Sequence, residues 1–287
     1  MRVQNQIIDR FIREALAEDL GAGDHTTNAC IPDDHNGAAF IVAKDSGIAA
    51  GVEMAIRIYH TIDPGLDIEQ IHSDGDPVNI GGTILRLEGS SRTILKGERL
   101  VLNCMQRMSG IATHTNRFVK AVEGFRARIL DTRKTTPNFR YFEKWAVRIG
   151  GGHNHRMGLY DMILIKDNHV DFAGGIGPAI MRAVAYAAGL PAKIPIEIEA
   201  RTIGEVREVL EAGKVDRILL DNFDPPELAN AVALINGRFE TEASGNVTLE
   251  NVRQMASSGV DSISIGALTH SAPNFDISLR VQQPGIQ

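Results

Sequence analysis

The chain has 287 residues, of which 43% are hydrophobic and 23% charged, with a formal net charge of −6 and two cysteines. This length permits one large domain or two modest ones, and the composition excludes a disordered chain. The acidic balance argues against a general nucleic-acid or membrane-surface binder, and no apolar run approaches the roughly 18 residues of a spanning helix. Cys30 and Cys104 have no Cys or His nearby at zinc-ligand spacing, which suits a reducing, cytoplasmic setting.

In chain order, "MRVQNQIIDRFIREALAEDL" comes first. Its Ile7, Ile8, Phe11, Ile12, Ala15 and Leu16 are interleaved with polar and charged residues, so it reads as an amphipathic helix and not a signal peptide. Short β-like runs follow ("AAFIVAKDSGIAAG", "LDIEQI", "GTILRLEGS"), giving an α+β character to the first hundred residues. From Lys96 a long helix is predicted, with an apolar stripe through Leu102, Met105, Met108, Ile111 or Ala112, Thr115 and Val119, and a break near Ser109-Gly110.

Beyond Arg126 strand-like runs alternate with helical ones. The strands are "RARILDT", "DMILIKD", "IPIEIEA", "DRILLDN", "RFETEA" and "SISIG". Between them lie "NFRYFEKWAVRI", "GPAIMRAVAYAAG", "TIGEVREVLEAG", "PPELANAVALI" and "TLENVRQMASSG". Apolar strands in βα alternation imply a parallel sheet. The strand ends Glu199, Asp221, Ala243 and Gly266 are spaced by 22, 22 and 23 residues. Six strands fall short of the eight of a closed barrel, so the alternatives are missed strands, an incomplete barrel or an open doubly wound sheet.

The polar residues favour the barrel, because each strand presents a charged or small residue at its C-terminal end, where barrel enzymes build their sites. Arg133 and Lys134 follow the first strand and Lys166 ends the second; Glu199, Asp221, Ser244-Gly245 and Gly266 follow in turn. Residues 131 to 168 hold seven Lys or Arg against four acids, a net +3 that leaves −9 for the rest. This island suits a small anion, although Arg140, Lys144 and Arg148, spaced by four, read as a solvated helix face.

Arg133, Lys134, Arg156 and Lys166, with His155, form a cationic half suited to carboxylates or phosphates. Glu199 and Asp221 form an acidic half that could hold Mg²⁺, stabilise a developing positive charge, or pair with the adjacent cations. "EASGN" and "SIGALTHS" supply small residues and free amides suited to phosphate. The set suits joining a phosphorylated sugar to an acidic partner, with pyrophosphate leaving; no nucleophilic triad or dinucleotide fingerprint is present.

"GGGHNHRMG" (150–158) adds a turn. A metal site there is disfavoured because no carboxylate or cysteine joins His153 and His155 locally. A phosphate loop is also disfavoured, because the glycines precede a strand and not a helix. The glycines instead let the backbone turn and deliver His155 and Arg156 to the site, leaving His153 structural.

The segments "EALAEDLGAGDHTT", "DTRKTTP", "EKWAVRIGGGHNHRMGLYDMILIKDNH", "LLDN", "EASG" and "VDSISIGALTHSAP" resemble, in order, the motif series of the quinolinate phosphoribosyltransferases, from about residue 14 to about 280. The resemblance implies transfer of phosphoribose from phosphoribosyl pyrophosphate to quinolinate, with loss of CO2, giving nicotinate mononucleotide for NAD biosynthesis. A relative acting on another acidic acceptor, or a non-catalytic metabolite binder, is the alternative. The implied fold is an N-terminal α/β sandwich domain over 1–108 and an incomplete, open α/β barrel over 109–274, with the tail 275–287 able to pack back on the first domain. Mg²⁺ is the implied cofactor.

A homodimer is also implied, in which Arg99 of "GER" completes the neighbouring subunit's site. By motif, Arg133, Arg156 and Lys166 would grip the two carboxylates of quinolinate, with Thr132, Lys134 and His155 in the same pocket. Lys134, Glu199 and Asp221 would be catalytic and would face the phosphoribosyl pyrophosphate, the last two holding Mg²⁺ directly or through water. Ser244, Gly245, Asn246, Gly266 and Ala267 would cradle the 5′-phosphate, with His270 nearby. Asn138-Phe139 stands where many members have Gly-Leu, Asn246 replaces a second glycine, and "EIEART" departs from the usual continuation. Asn tolerates left-handed backbone angles, so the turn at Asn246 is expected to survive.

Overall fold

A computed structural model describes residues 2–282. The chain divides into two compact units. One runs to Thr113 and resumes at Pro273; the other is His114–Ala272. The first boundary lies five residues beyond the expected one, inside a continuous helix, and the second lies two residues earlier than expected.

The first unit contains helices α1 (Arg2–Leu20), α2 (His25–Cys30) and α3 (Val52–Ile62), and strands β1 (Asn36–Ala43), β2 (Gly47–Ile48), β3 (Asp67–Gln70), β4 (Pro77–Val78) and β5 (Thr83–Ser90). Ile8 and Ile12 of α1 are buried, as the amphipathic pattern requires. Asp24 starts α2 by accepting a hydrogen bond from the Thr27 amide at 2.9 Å. The last strand of the described chain, here β12 (Ile277–Val281), pairs antiparallel with β1 and completes a sheet in the order β12-β1-β5-β3. Residues 283–287 of the expected tail lie outside the described residues.

Helix α4 (Ser91–Ala121) runs unbroken through Ser109-Gly110, against expectation. The Ser109 hydroxyl is used across the fold, donating to the Ala50 carbonyl and accepting from the Ala50 amide at 3.0 and 2.9 Å. Gly110 is a close-approach residue, since a Cβ there would run into the Pro273 carbonyl. Leu102, Met105, Met108, Ile111, Ala112 and Thr115 are buried along the predicted stripe.

The second unit contains all six predicted strands. They are β6 (Arg128–Leu130), β7 (Ile163–Ile165), β8 (Ile196–Ala200), β9 (Arg217–Asp221), β10 (Glu240–Ser244) and β11 (Ser262–Ser264). Their order, β6-β11-β10-β9-β8-β7, is wholly parallel. The first strand lies beside the last, while its sequence neighbour β7 occupies the far edge. The sheet therefore wraps as a barrel left open between β6 and β7, with one bridge from Leu130 to His153 beyond β6.

Helices α5 (Arg140–Ile149), α6 (Asp167–Ala173), α7 (Ile176–Ala188), α8 (Ile203–Ala212), α9 (Pro225–Ile235), α10 (Val252–Ser257) and α11 (Ala267–His270) connect the strands. Thr202 and Asp224 start α8 and α9 through side-chain caps to Glu205 and Glu227 amides at 3.1 and 2.8 Å, and proline opens α9. Helix α6 has no counterpart among the helical runs predicted from the sequence, and α11 is a single turn after Gly266.

Candidate active site

The C-terminal ends of the parallel strands surround a cavity of about 950 Å³ lying within the second unit. Its lining includes Thr132, Arg133 and Lys134 after β6, Arg156 from the open seam, and Lys166 after β7. Glu199 and Asp221 reach it from β8 and β9, Ser244, Gly245 and Asn246 from the end of β10, and Gly266, Ala267 and His270 from the turn into α11. Arg99 is exposed on α4 in the first unit, 3.9 Å from Glu98, and is not among the lining residues.

The cationic wall is held by local bonds. Thr132 Oγ1 accepts from the Lys134 amide at 3.0 Å, and Thr269 Oγ1 donates to the Lys134 carbonyl at 2.8 Å. Arg133 Nε is buried with no hydrogen-bond partner among the described residues. An unpaired guanidinium donor is expensive to bury, so this atom marks a place for an acceptor. Arg156 gives one Nη to the Met162 carbonyl at 3.3 Å, and burial together with Arg133 lowers its pKa.

Lys166 Nζ lies 3.8 Å from Glu199. The carboxylates Glu199 and Asp221 end adjacent strands, and both have pKa values raised by burial; in Glu199 repulsion from Asp221 adds to it. Two part-buried carboxylates on neighbouring strand ends, each raised by burial, make a donor set that fits a hard divalent cation such as Mg²⁺.

The phosphate-type turns depend on backbone freedom. Gly245 has φ +93°, and a Cβ there would collide with the Asn222 side chain. Asn246 adopts φ 50° and donates from Nδ2 to Asn222 Oδ1 at 3.0 Å. Asn138, the other departure from a glycine, has φ 62°. Asparagine therefore takes the left-handed conformation at both departures, at modest steric cost. At Gly266 a Cβ would lie 2.8 Å from Lys134 Cδ, which ties this turn to the cationic wall.

His155 lines the cavity, as expected, and its ring also meets two buried carboxylates. Nε2 lies 3.0 Å from Glu197 and 3.4 Å from Glu242, and Arg217 pairs with Glu242 at 2.8 Å. The Arg156 amide donates to Nδ1 at 2.7 Å, which leaves Nε2 to carry the ring's proton toward Glu197 and Glu242. Burial opposes charge on this ring, and the hydrogen bonds and charges of the two carboxylates raise its pKa. Burial and Glu242 raise Glu197, whereas contacts with His155, Ser264 and Arg217 hold Glu242 low despite its burial.

These three residues place ligand atoms within 4.8 Å of one another. The local reading, in which His155 had no carboxylate partner, missed both glutamates because they arrive from distant strands. Arg217 supplies the compensating charge, which makes the group an ion-paired cluster. The signal for both residues is a glutamate in the middle of a strand, two positions from a surface or site glutamate, in "IEIEA" and "ETEA".

Lys144 also departs from the expected solvated face. It is fully buried on α5 and pairs with Asp131, while Arg140 bonds Thr135 Oγ1 and the Met157 carbonyl at 2.9 and 3.2 Å. Arg148 is exposed, as spaced. A spacing of four defines one helix face without saying whether solvent or protein covers it. His153 is exposed and bridges β6 through its backbone.

A parallel α/β barrel with cations, paired carboxylates and glycine turns around one strand-end cavity defines a barrel protein built to handle anionic ligands. Two family models match the sequence: the N-terminal domain of quinolinate phosphoribosyl transferase over residues 24–109, and the C-terminal domain over 111–280. The chain is 49% identical over 282 residues to the mitochondrial, decarboxylating quinolinate phosphoribosyltransferase 2a of Nicotiana tabacum, covering 93% of this chain and 80% of the relative. It is 40% identical to a probable carboxylating nicotinate-nucleotide pyrophosphorylase of Synechocystis, covering 96% and 92%. The solved nicotinate-nucleotide pyrophosphorylase of Francisella tularensis superposes with TM-score 0.90 at 38% identity, covering 97% of each chain. The chain belongs to the quinolinate phosphoribosyltransferase family.

Proposed function

We propose that this chain transfers phosphoribose from phosphoribosyl pyrophosphate to the ring nitrogen of quinolinate, with decarboxylation, to give nicotinate mononucleotide, pyrophosphate and CO2 for NAD biosynthesis. The observation that carries the reading is one cavity lined by a cationic wall with an unpaired buried Arg133 Nε, a desolvated carboxylate pair and two glycine turns. Such a cavity matches a dicarboxylate acceptor, a reaction centre that becomes positive, and a phosphate.

Arg133, Arg156 and Lys166 grip the acceptor's two carboxylates, with Thr132, Lys134 and His155 around them, and orient its nitrogen toward the sugar. The N–C1 bond forms as the bond from C1 to the pyrophosphate oxygen breaks. Glu199 and Asp221 stabilise the positive charge that develops at C1, and Lys134 faces the departing pyrophosphate. Ser244, Gly245, Asn246, Gly266 and Ala267 hold the 5′-phosphate, with His270 beside them. Mg²⁺ held at Glu199 and Asp221, directly or through water, would supply charge neutralisation for the pyrophosphate. The C–CO2 bond then breaks, and the electron pair left on the ring carbon takes a proton from water.

A homodimer in which Arg99 completes the neighbouring subunit's acceptor pocket accounts for an exposed arginine outside the cavity lining. Two free cysteines suit a cytoplasmic setting, and no helix among the described residues is long and apolar enough to cross a membrane. The test combines purified protein, quinolinate, phosphoribosyl pyrophosphate and Mg²⁺. Nicotinate mononucleotide and CO2 are the expected products, and none at micromolar enzyme overturns the reading. Turnover of nicotinate or another pyridine acid in place of quinolinate would instead identify a different acceptor.

A further inference from the structure

The open seam of the barrel poses a positioning problem. Between Gly150 and Met162 the chain crosses from the β6 edge to the β7 edge, and its one ladder contact is the Leu130–His153 bridge. Arg156 sits in this stretch, so its placement cannot come from strand pairing.

A buried ion pair takes the place of the missing ladder. Asp131, after β6, and Lys144, on α5, are both fully buried and in direct contact. The Asp131 carboxylate also accepts from the His155 amide at 2.9 Å and from Asn154 Nδ2 at 2.5 Å. Lys144 Nζ donates to the His155 carbonyl at 3.1 Å, and the Lys144 carbonyl accepts from Asn154 Nδ2 at 2.8 Å. The backbone of His155 is thus held at its N–H by one member of the pair and at its C=O by the other. The His155 ring is held in turn by Glu197 and Glu242, and the next amide, that of Arg156, closes onto His155 Nδ1.

We infer that the Asp131–Lys144 pair is a positioning device for the acceptor pocket, clamping the His155 backbone so that Arg156 is aimed into the cavity. Neither residue lines the cavity, so both act through the segment they hold. The attraction between the two charges does not by itself account for the pair, because an isolated buried ion pair replaced whole by apolar groups of similar size is commonly neutral or stabilising. Its use here is geometric, since each member spends its remaining hydrogen-bonding capacity on residues 154 and 155.

The inference rests on the proposed quinolinate site, and the experiment separates the two. The Asp131→Leu/Lys144→Met double variant removes the clamp while leaving no lone buried charge. The variant also strips the His155 amide and carbonyl and Asn154 Nδ2 of their partners, so its melting temperature is expected to fall. Assayed below that temperature, its KM for phosphoribosyl pyrophosphate is expected to stay within about twofold of the wild-type value, while its quinolinate KM rises about tenfold or more from the misplaced arginine. Asn154→Ala, which deletes one strand of the clamp and leaves Asp131 and Lys144 in place, should move quinolinate KM in the same direction by a smaller factor. A wild type that turns over quinolinate beside variants with unchanged quinolinate KM overturns the positioning role alone. Equal losses for both substrates overturn it as well. A wild type without quinolinate turnover overturns the functional reading and this inference with it.

Discussion

Asn222 and Asn246 join the turns after β9 and β10, Asn246 Nδ2 donating to Asn222 Oδ1 at 3.0 Å while both residues hold left-handed backbone angles, φ 59° and 50°. Between them Gly245, at φ +93°, leaves no room for a Cβ beside Asn222. Gly245→Ala should therefore displace Asn222 and distort the phosphate turn. The expected result is a KM for phosphoribosyl pyrophosphate raised about tenfold or more, with a much smaller change in quinolinate KM, read by steady-state kinetics.

Arg133→Lys tests whether the unpaired Nε is a recognition atom. Lysine keeps the charge but loses the planar fork, so a substrate carboxylate loses a charge-assisted hydrogen bond worth about 1.5–3 kcal/mol. Quinolinate affinity should fall by roughly 10- to 100-fold. Isothermal titration with quinolinate measures this, and an affinity within twofold of wild type would remove Arg133 from the pocket's recognition set.

The carboxylate pair has a stability consequence with a definite sign. Burial and Asp221 raise the pKa of Glu199, so the folded state disfavours its ionised form. That penalty is full above the folded pKa and fades as pH falls toward the unfolded value of about 4.3. Glu199→Gln should thus raise the melting temperature of the metal-free protein at about pH 7, with a gain that shrinks toward about pH 4. Activity should drop sharply at the same time. A variant less stable than wild type at neutral pH contradicts this account of the raised pKa.

Assembly is tested by complementation. Arg99→Ala and Lys166→Ala, each inactive alone, should recover part of the wild-type activity when mixed under conditions that exchange subunits, because a hybrid dimer contains one intact site. Hybrids confirmed by mass but without recovered activity rule out a site shared between subunits.

The barrel strands were legible because several are short apolar runs, because each ends near a charged or small residue, and because regular spacing repeats the βα unit. What escaped had causes that lie outside any local window. Ser109 and Gly110 resemble a helix break, yet one bonds Ala50 and the other accommodates the Pro273 carbonyl, so tertiary contacts keep α4 continuous. Lys144 shares its spacing with exposed Arg148, and nothing in that spacing reveals Asp131 as its partner. Glu197 and Glu242 are alternate residues of buried strands, and only the closing of the sheet brings them to His155. Helix α6 has only seven residues, too few for a helical period to show in the sequence.

The pairing of β12 with β1 bears on how the chain folds as it is made. The barrel unit, 114–272, is an insertion between two parts of the other unit, and its own six strands are all synthesised before Pro273. The four-stranded sheet, by contrast, lacks its final strand until Ile277–Val281 leaves the ribosome. Through nearly all of translation β1 is an unpaired edge, the kind of surface that recruits other chains. Truncation only a few residues before β12 should therefore spare the barrel's own strands and leave the N-terminal sheet open to aggregation.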